Sequence, residues 1–173
     1  MRKLYEPTHT ELLVSAVLTD RGIKSKEQLN IKDLAQAFDI FIHYGNINAY
    51  LTDGDTALIF LDGRKEKKEQ YLSFLHELAH HLREDLSTAR MARCQHTYTE
   101  LKARCLMGYI GMPFFLINTI LGFKTIREAA DYFGLPYRLA EKRVTQIYNR
   151  MFFRGGVICR YTKTRKPGSG FIR

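Results

Sequence analysis

The sequence predicts an α+β fold in which a small antiparallel sheet precedes a long helix and the rest of the chain is helical. Short runs of branched and aromatic residues, with an Asp-Gly turn signal, occupy residues 40–61. A stretch of good helix formers without Gly or Pro follows at residues 65–84. Later apolar residues recur three and four positions apart, as on helices. The 173 residues suffice for one domain, or one domain with a small appendage.

The first third is predicted to contain two helices and the three strands. Residues 7–20 and Asn30–Phe38 each place their apolar residues on one helical face. The strand-like runs are Ile40–Tyr44, Ala49–Leu51 and Thr56–Leu61. The turn at 53–55, Asp-Gly-Asp, predicts a hairpin between the last two strands.

The long helix contains the pentapeptide HELAH at residues 76–80, which has the form HExxH. Residues four apart lie on one helical face, so His76 and His80 can direct both imidazoles at one metal ion. Glu77 projects about 100° further round the axis, where its carboxylate can take a proton from water instead of coordinating the metal. This arrangement is typical of zinc-dependent hydrolases.

HExxH also arises by chance in helices that bind nothing, so its surroundings matter. Its ionisable residues lie in an apolar run that contains Phe74, Leu75, Leu78, Ala79 and Leu82. Ionisable groups in such a run are costly unless something satisfies them, and a metal ion does so. His81 points elsewhere on the helix and is interpreted as a surface or hydrogen-bonded histidine.

A catalytic zinc ion usually has three protein ligands and one open position. The pattern HExxHxxGxxH is excluded, because Arg83 and Leu86 stand where it needs Gly and His. Glu100 is the better third ligand. A second helix, predicted from about Thr99 to Ile110, could run antiparallel to the first and bring Glu100 opposite the histidines. His₂Glu is a known catalytic ligand set.

Other polar residues near the second helix remain alternatives. His96 could be a ligand, a hydrogen-bond donor to the transition state, or a loop residue. Tyr98 could donate a hydrogen bond to an oxyanion. For both residues a surface or packing role is the simpler interpretation, and Asp85 fits a helix end better than a ligand position.

The segments HELAH at 76–80, Glu-Leu-Lys-Ala at 100–103 and Met-Pro at 112–113 together resemble the ImmA/IrrE family of metallopeptidases. That family combines HExxH with a downstream helix of pattern ExxA and a proline ten residues later, the spacing of Ala103 and Pro113. The resemblance covers roughly residues 30–150. Where the family often has Glu-Ala-Asn, this chain has Lys102, Ala103 and Arg104. Lys102 removes an alternative acidic ligand and leaves Glu100.

The resemblance implies a gluzincin-like fold, one Zn²⁺ per chain on His76, His80 and Glu100, and Glu77 as the catalytic base. It implies a site-specific endopeptidase that cleaves or inactivates a helix-turn-helix repressor and so derepresses phage or mobile-element genes. An edge strand beside the zinc site is expected to pair with the substrate, and Thr56–Leu61 is the candidate. The alternative is a zinc-containing regulator that binds DNA or a repressor without cutting.

The net charge of +9 belongs to the C-terminal end. From Arg138 to Arg173 the chain has ten Lys or Arg residues and one acid, while the other 137 residues are balanced. Aromatic residues are interleaved with this charge, which suits a phosphate backbone or an acidic partner. A solvated helix face with a loose tail is the simpler alternative.

The region after Pro113 is predicted to begin with a short apolar helix, Phe114–Leu121. Two further helices, Thr125–Gly134 and Tyr137–Asn149, resemble a helix-turn-helix in pattern, except that Arg143 stands where an apolar residue is expected. This hairpin could bind DNA or present Arg138, Lys142 and Arg143 to a repressor. A plain packing hairpin is the competing interpretation.

These elements predict a metallopeptidase-like domain at 1–121, a helical hairpin at 122–155 packed on it, and a basic tail at 156–173. No run of 18 apolar residues and no apolar signal core is present, so we expect no membrane contact. Three cysteines without a CxxC pair (Cys94, Cys105 and Cys159) indicate free thiols in the cytoplasm.

Overall fold

The computed structural model describes residues 5–53, 56–83 and 93–153, with the backbone alone for 93–97 and 152–153. The helices are α1 (His9–Asp20), α2 (Ile31–Ala37), α3 (Lys67–His81), α4 (Arg93–Gly111), α5 (Ile117–Gly122), α6 (Ile126–Phe133) and α7 (Tyr137–Phe153), with a 3-10 turn at Phe114–Leu116. The strands are β1 (Ile40–Gly45), β2 (Ala49–Thr52) and β3 (Ala57–Asp62). The predicted α+β class is confirmed.

Side-chain caps explain why the first two helices begin close to their predicted positions. The Thr8 hydroxyl accepts a hydrogen bond from the Glu11 amide at 3.0 Å, and the Glu11 carboxylate accepts one from the Thr8 amide at 2.7 Å. This reciprocal pair is a capping box. Asn30 caps α2 by accepting a hydrogen bond from the Asp33 amide at 2.9 Å.

The prediction of a purely antiparallel sheet is wrong. The strand order is β1-β3-β2, with β3 antiparallel to β2 and parallel to β1. The predicted hairpin between β2 and β3 is present, but β3 inserts between the two strands that precede it. Of the three strands β3 buries the most residues, and the central position lets it pair on both edges and bury its side chains.

The choice of Thr56–Leu61 as an edge strand is therefore also wrong. That segment forms the central strand, whose backbone is already paired on both sides. The edge strand that touches α3 is β2, since the Tyr50 hydroxyl lies 2.9 Å from Nδ1 of His81. His81 is thus hydrogen-bonded, as expected.

The helical region after Pro113 closes onto α3 and α4 through a tight turn. Gly134 ends α6 in the left-handed conformation, at φ 65°, which a residue without Cβ adopts at low cost. Leu135 then packs against Gly111 at the end of α4, where an added Cβ would lie 3.1 Å from its methyl groups. The predicted α6–α7 hairpin is present as a structural unit, and its helix-turn-helix role stays a prediction.

Arg143 is buried, which corrects the prediction that it is presented to a partner. It forms an ion pair with Glu11 of α1, and both side chains are about 1% exposed. Its Nε donates to the Met112 carbonyl at 3.2 Å, and its guanidinium lies 4.8 Å from the Tyr109 ring centroid. Arg143 occupies the position where the helix pattern expects an apolar residue, because a buried carboxylate stands opposite. Arg138 and Lys142 are exposed.

The carboxylate of this pair is held in its charged form. Burial alone would raise the pKa of Glu11, but hydrogen bonds from Thr8 and Tyr5 together with Arg143 lower it below its ordinary value. Burial and the Glu11 contact raise the pKa of Tyr5 to about 12. The cluster therefore joins α1 to α7 through a charged pair with additional hydrogen bonds.

Some expectations fall outside the described residues. These are the basic tail at 156–173, and the side chains of Cys94 and Cys159, whereas Cys105 is a free thiol. In the described ranges no single helix is long and apolar enough to cross a membrane. The bent pair Tyr98–Gly111 and Phe114–Gly122 together has the length and composition of a span, but no more than that.

Candidate metal centre

Helix α3 carries the HELAH segment on its second half. It runs without Gly or Pro, and its core-facing side buries Phe74, Leu75, Leu78 and Ala79. This buried stripe fixes the rotation of the helix. His76 and His80 consequently project on the same side, with their ring centroids 4.7 Å apart.

Helix α4 brings the predicted third residue to the two histidines. Ala103, which is fully buried, lies on the same helix three residues after Glu100. A small side chain at this position allows α4 to approach its neighbours closely. The Glu100 carboxylate oxygens lie 3.4 Å from Nε2 of His76 and 3.3 Å from Nε2 of His80. The predicted trio is thus brought together in space.

The three side chains offer a compact set of donor atoms. Nε2 of His76 and Nε2 of His80 are 3.3 Å apart, and one donor atom from each residue lies within 4.8 Å of the others. His80 is buried, whereas the side chains of His76 and Glu100 are 25% and 24% exposed. Water can therefore reach one side of the cluster, while the other side is closed by the core.

Electrostatics distinguish the residues of the cluster. Burial lowers the pKa of His76, the charges of His80 and Arg104 add to this, and Glu100 opposes it. Burial raises the pKa of Glu77, Glu100 adds to this, and His80 opposes it. A neutral imidazole is the form that binds a metal, and a carboxylate with a raised pKa is a better base.

Contacts outside the cluster hold α3 and α4 in place. Nη1 of Arg83 donates to the Thr99 carbonyl at 2.9 Å, one residue before Glu100. The Tyr50 hydroxyl holds His81 at the end of α3. Sequence reasoning used Arg83 only to exclude a third histidine and did not foresee either contact. Neither has a local sequence signal, because each joins segments far apart in the chain.

Of the alternative site residues considered from the sequence, the structure describes the side chain of Tyr98 alone. Tyr98 is 56% exposed, and the Lys102 ammonium lies 4.1 Å from its ring centroid. His96 lies in α4, but its side chain is outside the described part, as are Asp85 and Leu86. Arg104 was missed as a neighbour of His76; its position one turn after Glu100 was the available signal.

Comparison with known families decides the class of this chain. The sequence profile of the Peptidase M78 family, described as the IrrE N-terminal-like domain, matches residues 35–145. The chain belongs to the Peptidase M78 family. The match spans β1 to β3, the HELAH helix, Glu100 and about half of α7, so the resemblance seen in the sequence is confirmed.

Two relatives of this M78 protein come from Bacillus subtilis (strain 168). An uncharacterized protein, YqaB, is 23% identical over 152 residues, which is 85% of this chain and 88% of the relative. The phage-like element PBSX protein XkdA is 25% identical over 148 residues, which is 83% of this chain and 75% of the relative. No solved structure matches.

Membership of this family identifies the chain, in general terms, as a metallopeptidase. A metallopeptidase uses a metal ion and acts on a protein substrate. In the described part of the chain, His76, His80 and Glu100 form a group able to hold the metal.

Proposed function

We propose that this protein is a zinc-dependent, site-specific endopeptidase that cleaves or inactivates a helix-turn-helix repressor of a phage or mobile element. The observation that carries the proposal is the convergence of His76, His80 and Glu100, beside Glu77, in a chain of a peptidase family. Two imidazoles and one carboxylate are a donor set that suits Zn²⁺ in catalytic sites. The chemistry of the residues thus fits the metal that the family implies.

In the proposed reaction, His76, His80 and Glu100 hold one Zn²⁺. A bound zinc ion acidifies water and polarises a carbonyl group. Glu77 takes a proton from the attacking water and then delivers it to the leaving amine. Burial raises the pKa of Glu77 above its ordinary value, which makes its carboxylate a stronger base.

The edge strand β2 supports an extended mode of substrate binding. It is the outer strand on the side of α3, and Tyr50 links it directly to the helix that carries the histidines. A peptide that pairs with β2 through main-chain hydrogen bonds would run alongside α3. This assignment replaces the earlier candidate, Thr56–Leu61.

The phage or mobile-element context rests on the relatives. XkdA is named as a protein of the phage-like element PBSX, and this chain matches most of its length. A peptidase that removes a repressor is a direct way to switch such an element on. The exposed Arg138 and Lys142 on α7 form a basic surface that could recognise that repressor.

Removal of a ligand is expected to weaken zinc binding. Wild-type protein should bind one Zn²⁺, whereas Glu100→Gln and His80→Ala should each bind at least about a hundredfold more weakly, since even losing a partner of a ligand costs 10–100-fold. Competition with a chromophoric chelator measures this. Glu69→Gln, an exposed change on α3, is the matched control. If Glu100→Gln binds zinc with wild-type affinity, Glu100 is not a zinc ligand.

Cleavage of a repressor is tested by co-expression with helix-turn-helix repressors of phages and mobile elements. Mass spectrometry of the recovered repressor should reveal two fragments with wild-type protein and intact repressor with Glu77→Gln. A reporter gene under the same repressor should be switched on only by the wild-type chain. If every repressor stays intact, both in co-expression and when mixed with purified zinc-loaded protein, the proposed substrate class is wrong.

The second candidate function is a zinc-containing regulator that binds DNA or a repressor without cutting. It is favoured by the ten basic residues against one acid from Arg138 to Arg173. The same reporter separates the two functions, because a docking protein would still switch the gene on in its Glu77→Gln form. DNA binding that falls steeply with salt would support the nucleic-acid version.

A further inference from the structure

A groove separate from the metal centre lies between α2, β1 and the first half of α3. Its volume is about 870 Å³, a size typical of small-molecule sites. We call it the α2–α3 groove. Its buried apolar lining includes Leu29, Ala35, Ile40 and Phe133. None of His76, Glu77, His80 and Glu100 lines it.

The charged residues of the groove have one sign. Lys26, Lys32 and Lys67 contribute to the lining, which contains no Asp or Glu. The Lys26 ammonium lies 5.7 Å from the Tyr132 ring centroid. Within the described ranges, no carboxylate pairs with Lys32 or Lys67, in contrast to Lys68, which lies 3.3 Å from Asp131. An anion would therefore find ammonium groups that are not already neutralised.

Tyr71 adds an aromatic ring to the same lining, while its hydroxyl is covered by protein. Its side chain is only 8% exposed, and its hydroxyl has no hydrogen-bond partner among the described residues. Tyr71 lies on α3, five residues before His76.

We propose that the α2–α3 groove binds a small amphipathic anion, a molecule with an aromatic or branched apolar body and one carboxylate or sulfonate group. The apolar body lies on the buried lining, as in most small-molecule sites. Lys32 and Lys67 bind the anionic group. This site is independent of the proposed peptidase reaction and needs no metal ion.

Two dyes with nearly the same body test the proposal on the full chain. 8-Anilino-1-naphthalenesulfonate is anionic, whereas N-phenyl-1-naphthylamine lacks the sulfonate. Fluorescence titration should give one site for the anionic dye. The double variant Lys32→Gln/Lys67→Gln should weaken that dye roughly tenfold or more, because charge-assisted hydrogen bonds are lost, and should change the neutral dye little.

Matched variants separate this site from general effects. Lys65→Gln/Lys68→Gln removes the same charge outside the lining and should leave the anionic dye bound at wild-type affinity. Phe41→Ser alters an exposed apolar residue of the sheet, 66% exposed, and should also leave it bound. Equal weakening by both lysine pairs, equal loss of both dyes, or loss of the site in Phe41→Ser would overturn the proposal. Thermal unfolding confirms that each variant is folded.

Discussion

Replacing Glu77 with Gln is expected to lower kcat by about 10²–10⁴-fold, the usual contribution of a general base. The amide is nearly the same size as the carboxylate but cannot accept the proton of the attacking water. Zinc content should remain at one per chain, because His76, His80 and Glu100 are unchanged. Cleavage of a repressor or of a peptide derived from it, measured with metal analysis on the same sample, checks both statements.

The matched control for this variant is Glu69→Gln. It makes the same chemical change two turns earlier on α3, at an exposed position away from the site, and should leave kcat at the wild-type value. If Glu77→Gln cuts at the wild-type rate while holding zinc, the proposed mechanism is wrong. If both variants lose activity and zinc together, the loss reflects folding of α3.

Replacing Arg143 with Met is expected to lower the free energy of unfolding by about 3–5 kcal/mol. The change leaves Glu11 charged and buried without its main partner. It also removes the hydrogen bond to the Met112 carbonyl and the contact with the Tyr109 ring. Urea unfolding at neutral pH measures the effect. Arg138→Met, the same substitution at an exposed site of α7, should change stability by less than about 0.5 kcal/mol.

A double-mutant cycle identifies the pair as the cause. Glu11→Gln keeps an oxygen that can accept from the Thr8 amide, so the helix cap survives, but it leaves Arg143 unpaired. The double variant Glu11→Gln/Arg143→Met removes both charges and should be less destabilised than the sum of the single variants. Additive losses would show that the two side chains act independently.

The candidate site was predictable from the sequence because its information is local. The spacing of four residues on α3 places His76 and His80 on one face. The buried apolar side of the same helix then sets the direction in which that face points. Glu100 required one long-range assumption, that α4 returns beside α3. That assumption holds because Ala103 and the Arg83–Thr99 hydrogen bond allow close packing.

The sheet order and the role of Arg143 were not predictable in the same way. A hairpin signal at 53–55 indicates that β2 pairs with β3, but nothing in β1 indicates which strand lies beside it. Arg143 looked like a surface cation because its partner, Glu11, is 132 residues away. Pairing between residues so far apart leaves no periodic pattern in the sequence, so the sequence alone predicted an exposed Arg143.

The separation of Glu11 and Arg143 has a consequence during synthesis. A ribosome delivers α1 long before α7, so the Glu11 carboxylate has no Arg143 guanidinium to pair with until 132 further residues have been synthesised. Helix α1 therefore cannot reach its final packed state early, and its pairing with α7 is a late, non-local step of folding. A chain that ends before α7 would contain the histidines and Glu100 but lack this contact between α1 and α7.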